Sequence, residues 1–539
     1  MNSDVIDTPG ARGPRALWPV PYEIHSALKS MEWRDGFIWP VAYSSLRDIQ
    51  MTTASSLLST IASMSSSRAR ALALLVQGSL GSLIRMIGEQ ALLADAARQQ
   101  GIQMVGTAPE FEYLCGFVPL SSLLDSVPSL ENDENIKLAF GRRMVRIASW
   151  TRSPIRLVRA LVKPDHVVVS HNRLLRDVAH RSETAISFQH AESILFRGRS
   201  LTPQNGDDDI VDEVAERYER VIGQTYALKS EMHERMRALY RLRSRVVLTE
   251  AARDLRGLSQ LRRVPRSIWA GSAGSYAVRA LAIEVRRRGG ATEGFDHGGS
   301  LSMVDDPDQI ALREFSVYDR YVFPTAGCVD AVTKTGALNG SLPFGPTRLV
   351  GGAGDPTFRV TSRSDANGSR RRRRVYYVPM IFRGLRQHLP TYLPDPVYLD
   401  WQYRLVESLK RIDVDVVCKP HPEGLLKGRR HPLEAVCAIE YRKFEEVRDD
   451  ADAFLFDISQ STTFWEAVCT HRPVVLIDLG ITRFNTTVEP LIRRRCRIVK
   501  ARWDERNLPS VDSDELADAL CGTEKVDPTE FRMLLTDRA

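Results

Sequence analysis

Apolar residues recur at helical spacing from residue 69 to 100 and stop at Gln99-Gln100-Gly101, just before the short run Ile102-Gln103-Met104-Val105. That pattern predicts a helix, a glycine stop and a strand. The same order returns downstream. Pro164-Asp165 precedes a β-rich run over 166–170, a helical pattern follows, and Ala185-Ile186-Ser187-Phe188 leads into Gln189-His190. A third copy has a strand at 267–270, the turn Gly271-Ser272-Ala273-Gly274-Ser275 and a helix over 276–288. After Gly289-Gly290 a further strand runs into Glu293-Gly294-Phe295-Asp296-His297. Strands alternating with helices predict a mostly parallel sheet with helices on both faces.

Gly206-Asp207-Asp208-Asp209 opens a charged amphipathic stretch that reaches Arg245, so a helical insertion is expected over about 206–262. Strands follow at 319–323 and 348–350. The composition then changes over 361–374, which is polar, contains glycine and ends in the run Arg370 to Arg374, a linker signal. A second alternation begins behind it, with strands at 375–378, 414–418, 453–456 and 473–477 and a helix over 397–410. One helix, at 513–520, is expected in a tail over 503–539. The prediction is an α/β chain of two Rossmann-like units, 1–360 and 375–502, facing each other across a cleft as in the GT-B architecture.

The 539 residues are enough for two large α/β units. Lys+Arg 74 against Asp+Glu 67 leaves +7, an excess that fits an anionic ligand, an anionic lipid surface or plain solubility and chooses none of them. Seven scattered cysteines without C-x-x-C spacing read as reduced core thiols, which points to the cytosol. The first residues are polar and acidic, unlike a secretory signal. The apolar helical stretch at 71–84 is short for a bilayer and carries Gln77, Ser79 and Ser82. A soluble or peripheral protein is expected. The arginine run reads as a solvated linker, with docking to anionic lipid as the sharper alternative. Nucleic acid is disfavoured, because neither aromatic interleaving nor a nucleic-acid module is present.

Lys419-Pro420-His421-Pro422 follows the strand at 414–418. Its prolines stop both ladder pairing and helix formation, which holds the His421 imidazole at the sheet edge. A turn histidine satisfied by a backbone carbonyl is the bland alternative. After the strand at 453–456, Asp457-Ile458-Ser459-Gln460-Ser461-Thr462-Thr463 passes into a helix whose N–H groups and hydroxyls suit a phosphate. Simple capping by Ser459 or Ser461 is compatible with that role. His297 stands before Gly298 and Gly299, which leave room for a ligand, and an imidazole accepts protons near neutral pH. Asp296 and Glu293 are rival bases, although strand alternation points Asp296 the other way. The turn at 271–275 lacks the spacing of G-x-G-x-x-G and offers Ser272 and Ser275 as substrate contacts. Asp413-Val414-Asp415 lies at the start of the strand that ends near His421, on the opposite sheet edge, so it is rejected as a metal site. No other cluster has metal-ligand spacing, and stabilisation by protein groups is expected instead.

The H-G element of the first unit, with K-P-H-P and D-x-S-x-S in the second, resembles the bacterial surface-carbohydrate transferases of GT-B fold. These include capsular polysaccharide transferases, polysialyltransferase-like enzymes and CDP-glycerol glycerophosphotransferases. The resemblance covers about residues 268–498. It implies that His421 contacts the donor phosphate, that Ser461 and Thr462 form the nucleotide-binding turn, and that His297 is the base. Lys419 and Ser459 belong beside them as phosphate contacts, and Asp296, Gly298 and Gly299 as substrate contacts. The implied activity is metal-independent glycosyl transfer, with a nucleotide sugar as co-substrate, cytidine-activated donors favoured and no cofactor. The implied acceptor is a surface polysaccharide or lipid-linked glycan at the cytoplasmic face of the membrane. The glycerophosphotransferases usually carry tryptophan and threonine around their H-G histidine, where this chain has Phe295-Asp296 and Gly298-Gly299. Sugar transfer is therefore ahead of polyol-phosphate transfer, with a non-catalytic glycan- or nucleotide-binding protein as the third reading.

Overall fold

The computed structural model describes residues 17–19, 24–29, 31–101, 103–105, 108–124, 154–201, 208–226, 228–337, 342, 345–360, 372–382, 384, 393–522 and 526–538. Strands β1 (Leu17–Pro19) and β2 (Gln103–Val105) pair only with each other. The strand expected at 102–105 therefore stands outside the main alternation.

The first large sheet contains β3 (His166–Val168), β4 (Ile186–Phe188), β5 (Ser267–Ala270), β6 (Ala291–Phe295), β7 (Arg320–Phe323) and β8 (Arg348–Gly351), all parallel, in the order β4-β3-β5-β6-β7-β8. The second contains β9 (Arg373–Val378), β10 (Val414–Cys418), β11 (Ala438–Ile439), β12 (Ala453–Phe456), β13 (Val474–Asp478) and β14 (Arg497–Lys500). Its order, β11-β10-β9-β12-β13-β14, is that of dinucleotide-binding sheets. Wholly apolar runs such as Ala453–Phe456, buried along their length, are what a sheet covered on both faces requires. The strand order reverses between β3 and β5 in one sheet and between β9 and β12 in the other. Ligand crevices open outside the carboxyl ends of strands at such points. Two Rossmann-like units of this kind make the GT-B arrangement.

A helical layer lies beside the first sheet. The helices Tyr43–Ala62, Ser67–Gln100, Asp208–Thr225 and Ser230–Gln260 pack together, so the expected insertion is two helices that join two earlier ones. Ser67–Gln100 begins where Ser66 accepts a hydrogen bond from Ala69 N–H and ends at the left-handed Gly101. Its 34 residues are long and apolar enough to cross a bilayer, unlike the shorter stretch expected, yet 83% of its most apolar window is buried within the protein. A Cβ on Gly88 would lie 2.1 Å from the Tyr226 ring, so glycine is what lets the second helix pair approach.

Both chain ends cross between the units. Arg34 Nε meets Asp400 Oδ1 at 2.9 Å, Trp39 N–H donates to Arg506 O at 2.9 Å, and the Tyr43 and Trp503 rings stack at 4.7 Å. The segment around 33–47 thus packs on the second unit. The tail carries the expected helix, Ser513–Cys521, and another at Thr529–Thr536 that returns to the first unit. There Thr325 Oγ1 donates to Leu534 O at 2.6 Å and Asp355 N–H to Leu535 O at 2.9 Å. An apolar helix face announces burial but not which surface will bury it.

Residues 361–371, with Arg370 and Arg371, lie outside the described residues. The rest of the arginine run is structural rather than linker. β9 starts at Arg373, Arg372 pairs with Asp413 at 2.7 Å, and Arg374 pairs with Asp415 at 3.0 Å. All seven cysteines are free thiols, and Cys328, Cys418, Cys469 and Cys496 are buried.

Candidate functional site

At the carboxyl edge of the first sheet, β6 ends at Phe295 and the chain turns through Asp296, His297, Gly298 and Gly299. Asp296 is 1% exposed, whereas His297 is exposed. Burial, with Asp355 and Glu314 nearby, pushes the Asp296 carboxyl up to about 8. The His297 and Gly299 N–H groups pull the other way, but neither carboxyl oxygen has a hydrogen bond of normal geometry. A carboxyl that holds its proton at pH 7 and is sealed from solvent is no base for an incoming hydroxyl. Glu293 lies in mid-strand, its carboxyl raised by burial and partly restored by Arg320 at 2.9 Å. Of the three expected bases, only His297 is open to solvent.

Gly298 and Gly299 have φ of +82° and +77°, a left-handed turn natural to glycine. A Cβ on Gly298 would lie 2.3 Å from Thr462 Oγ1 in the second unit. The H-G turn and the hydroxyl-bearing turn, 164 positions apart from Gly298 to Thr462, therefore meet across the cleft. The following residues close the junction: Asn485 Nδ2 donates to Ser302 O at 2.7 Å, and Val304 forms an antiparallel bridge with Phe484.

In the second unit, Ser461 is the N-cap of the helix Thr462–Val468, accepting a hydrogen bond from Phe464 N–H at 3.1 Å. The capping role is thus present, and at seven residues the helix has only a small dipole to offer an anion. Ser459 is 1% exposed, and its Oγ has no hydrogen-bond partner. Lys419 is buried at the end of β10. Burial lowers its ammonium pKa, which Glu440, Cys418, Glu445 and Glu446 partly restore. His421 is exposed on the same edge, two strands from β12, and its Nδ1 accepts the Glu423 N–H at 3.1 Å. With Nδ1 used as an acceptor, the neutral ring carries its proton on Nε2 and offers it as a donor. Ser272 and Ser275 lie after β5, beside β6. Ser272 Oγ is taken by Gly274 N–H at 3.0 Å, which gives it a turn-forming role, and the Ser275 side chain makes no capping bond.

Several groups at the cleft escaped sequence reasoning. Asn172 sits at the strand-order reversal of the first sheet, where its Nδ2 donates to Gly271 O at 2.8 Å and to Asp296 O at 2.8 Å while its Oδ1 caps the next helix. An asparagine between a strand and a helical pattern is a capping signal, but its reach to β6 is tertiary. Arg173 crosses the cleft to Glu445 at 2.7 Å. Asp355 has its carboxyl raised by burial, with Thr357 and then His297 and Arg173 pulling it down. At the other reversal point, the buried Asp457 accepts from Tyr377 at 2.6 Å, from Tyr398 at 3.0 Å and from Trp401 Nε1 at 3.0 Å. Burial still pushes its carboxyl up to about 6. Asp413 and Asp415 lie at the opposite edge, paired with arginines. A cavity of about 750 Å³ lined by Arg493, Arg494, Arg497, Glu515 and Asp518 also opens at that opposite edge, where β13 and β14 begin.

No protein-family model and no curated protein matches the chain. Among solved structures, the S. aureus MnaA–UDP co-structure aligns with a TM-score of 0.32 and 10% identity, covering 66% of this chain and 86% of that one.

Proposed function

We propose that the chain is a glycosyltransferase that moves a sugar from a nucleotide sugar to a surface polysaccharide or lipid-linked acceptor at the cytoplasmic side of the membrane. The observation that carries this reading is the close approach of Gly298 to Thr462, which brings the turn that carries His297 to the turn that carries Ser461 and Thr462. In this reading His297 takes the proton of the acceptor hydroxyl, and the oxygen attacks the anomeric carbon. The bond from that carbon to the phosphate oxygen breaks, with the electron pair leaving on the phosphate. In this reading Lys419 and the Nε2–H of His421 stabilise the charge that develops there, in place of a metal ion. Cytidine-activated donors are favoured by the family resemblance.

Nucleotide binding is the premise to test first. Thermal unfolding of the full chain with CMP, CDP, UDP and GDP should show one nucleotide raising the midpoint, by about 2.7 kcal/mol of stability at a concentration 100 times its dissociation constant. Donor-dependent sugar transfer to an acceptor then separates an enzyme from a binding protein. Absence of any nucleotide shift would overturn the reading.

A further inference from the structure

The helix Pro154–Val162 leads into β3, and among the described residues it packs towards β4. Ala160 packs on Ala185, and Arg156 Nη1 donates to Ser182 O at 2.8 Å. Its other side is apolar and open: Ile155 and Val162 are each 81% exposed, Val158 62% and Leu161 44%. At helical spacing these four fall on one stripe, facing away from Ala160. A single exposed aliphatic side chain is ordinary, but a stripe of them on a nine-residue helix marks a contact surface.

Charge identifies the occupant. The exposed Arg159 and Lys163 run along one flank of the stripe, and Arg159 reaches Asp165 at 2.9 Å. The sequence from residue 136 to 164 contains no aspartate or glutamate and includes Arg152, Arg156, Arg159 and Lys163. An aliphatic crown beside a cationic flank matches a surface that offers acyl chains below and anionic head groups above. We propose that the Pro154–Val162 helix lies in the head-group layer of an anionic lipid bilayer and holds the first unit at the membrane. The arginine run at 370–374, the earlier choice for this role, runs into strand β9 at Arg373, whose guanidinium donates to the carbonyls of Leu520 and Gly522. The inference stands independently of the transfer reaction.

The test is co-sedimentation of the full chain with phosphatidylcholine vesicles made with and without phosphatidylglycerol. The expected result is binding to the anionic vesicles that falls at least ~10-fold in the variant Ile155→Ser/Val158→Ser/Val162→Ser. These side chains are exposed, so the thermal midpoint without lipid should stay unchanged. A second variant, Arg159→Gln/Lys163→Gln, should weaken binding at low salt and flatten its salt dependence. Failure of the native chain to bind anionic vesicles, or equal binding by the serine variant, would overturn the proposal. Self-association without lipid that the serine variant abolishes would do so too, by making this face an interface between protein molecules.

Discussion

At the end of β6 the chain leaves its sheet through a buried carboxyl, an exposed imidazole and two left-handed glycines; at the end of β10 it leaves through a buried ammonium and an imidazole between two prolines. The first edge gathers two buried acids, Asp296 and Asp355, whose carboxyl pKa values burial raises, around one open histidine. The second gathers groups able to donate: the exposed His421, whose Nδ1 is used as an acceptor, Thr462, and the buried Lys419 and Ser459 behind them. In the proposed reading one edge accepts the proton and the other meets the phosphate. The contrast between the edges lies in the loops, since the strands beneath are alike in direction and burial.

The largest effect that bears on this contrast is expected at the accepting edge. His297→Ala should lower turnover by about 10³-fold while leaving nucleotide affinity nearly unchanged, measured as kcat beside calorimetric Kd. Lost nucleotide affinity with intact turnover at saturating donor would exchange the roles of the two edges.

At the anion-facing edge, His421→Ala should cost about 10²-fold in turnover and also weaken nucleotide binding. Near-native turnover in a folded His421→Ala protein would remove His421 from the leaving-group role.

The buried carboxyls sharpen the comparison through pH. An unfolded aspartate ionises near ~3.9, whereas Asp296 in the fold ionises at about 8, so between those values the folded chain holds the extra proton. The stability due to this group is complete below ~3.9 and is lost as pH rises toward about 8. Asp296→Asn, which stays neutral, should flatten the fall in stability between about pH 5 and 8 by on the order of 2 kcal/mol in urea titrations. Asp306 and Asp457, raised to about 7 and about 6, leave a residual slope. Identical slopes in the two proteins would show that Asp296 ionises normally.

The smallest effect tests the meeting of the edges. Gly298→Ala adds a Cβ at a left-handed position and against Thr462 Oγ1, and should cost about 1–2 kcal/mol. Adding Thr462→Ala should return part of that loss, which a double-mutant cycle in denaturant measures. A coupling of zero would separate the two turns.

Local pattern determined much of this protein. The period of apolar residues located β10 at 414–418 and β12 at 453–456 to the residue, because a short apolar run between turn formers leaves a strand little freedom. Glycine and proline marked the loops after β6 and β10 because their backbone restrictions are local. Which edge a loop occupies followed from strand direction, which is why Asp413 and Asp415 were set apart from His421. Other features belong to the tertiary structure alone. Strand alternation already set Asp296 apart from His297, but how strongly burial raises the Asp296 carboxyl is a tertiary matter. Asn172, Arg173, Asp355 and Glu445 reach the cleft only through contacts between segments distant along the chain. The placement of the 33–47 segment on the second unit, and of Thr529–Thr536 between the two, has the same origin: hydrophobic burial is non-directional, so an amphipathic face specifies that it will be covered but not by what.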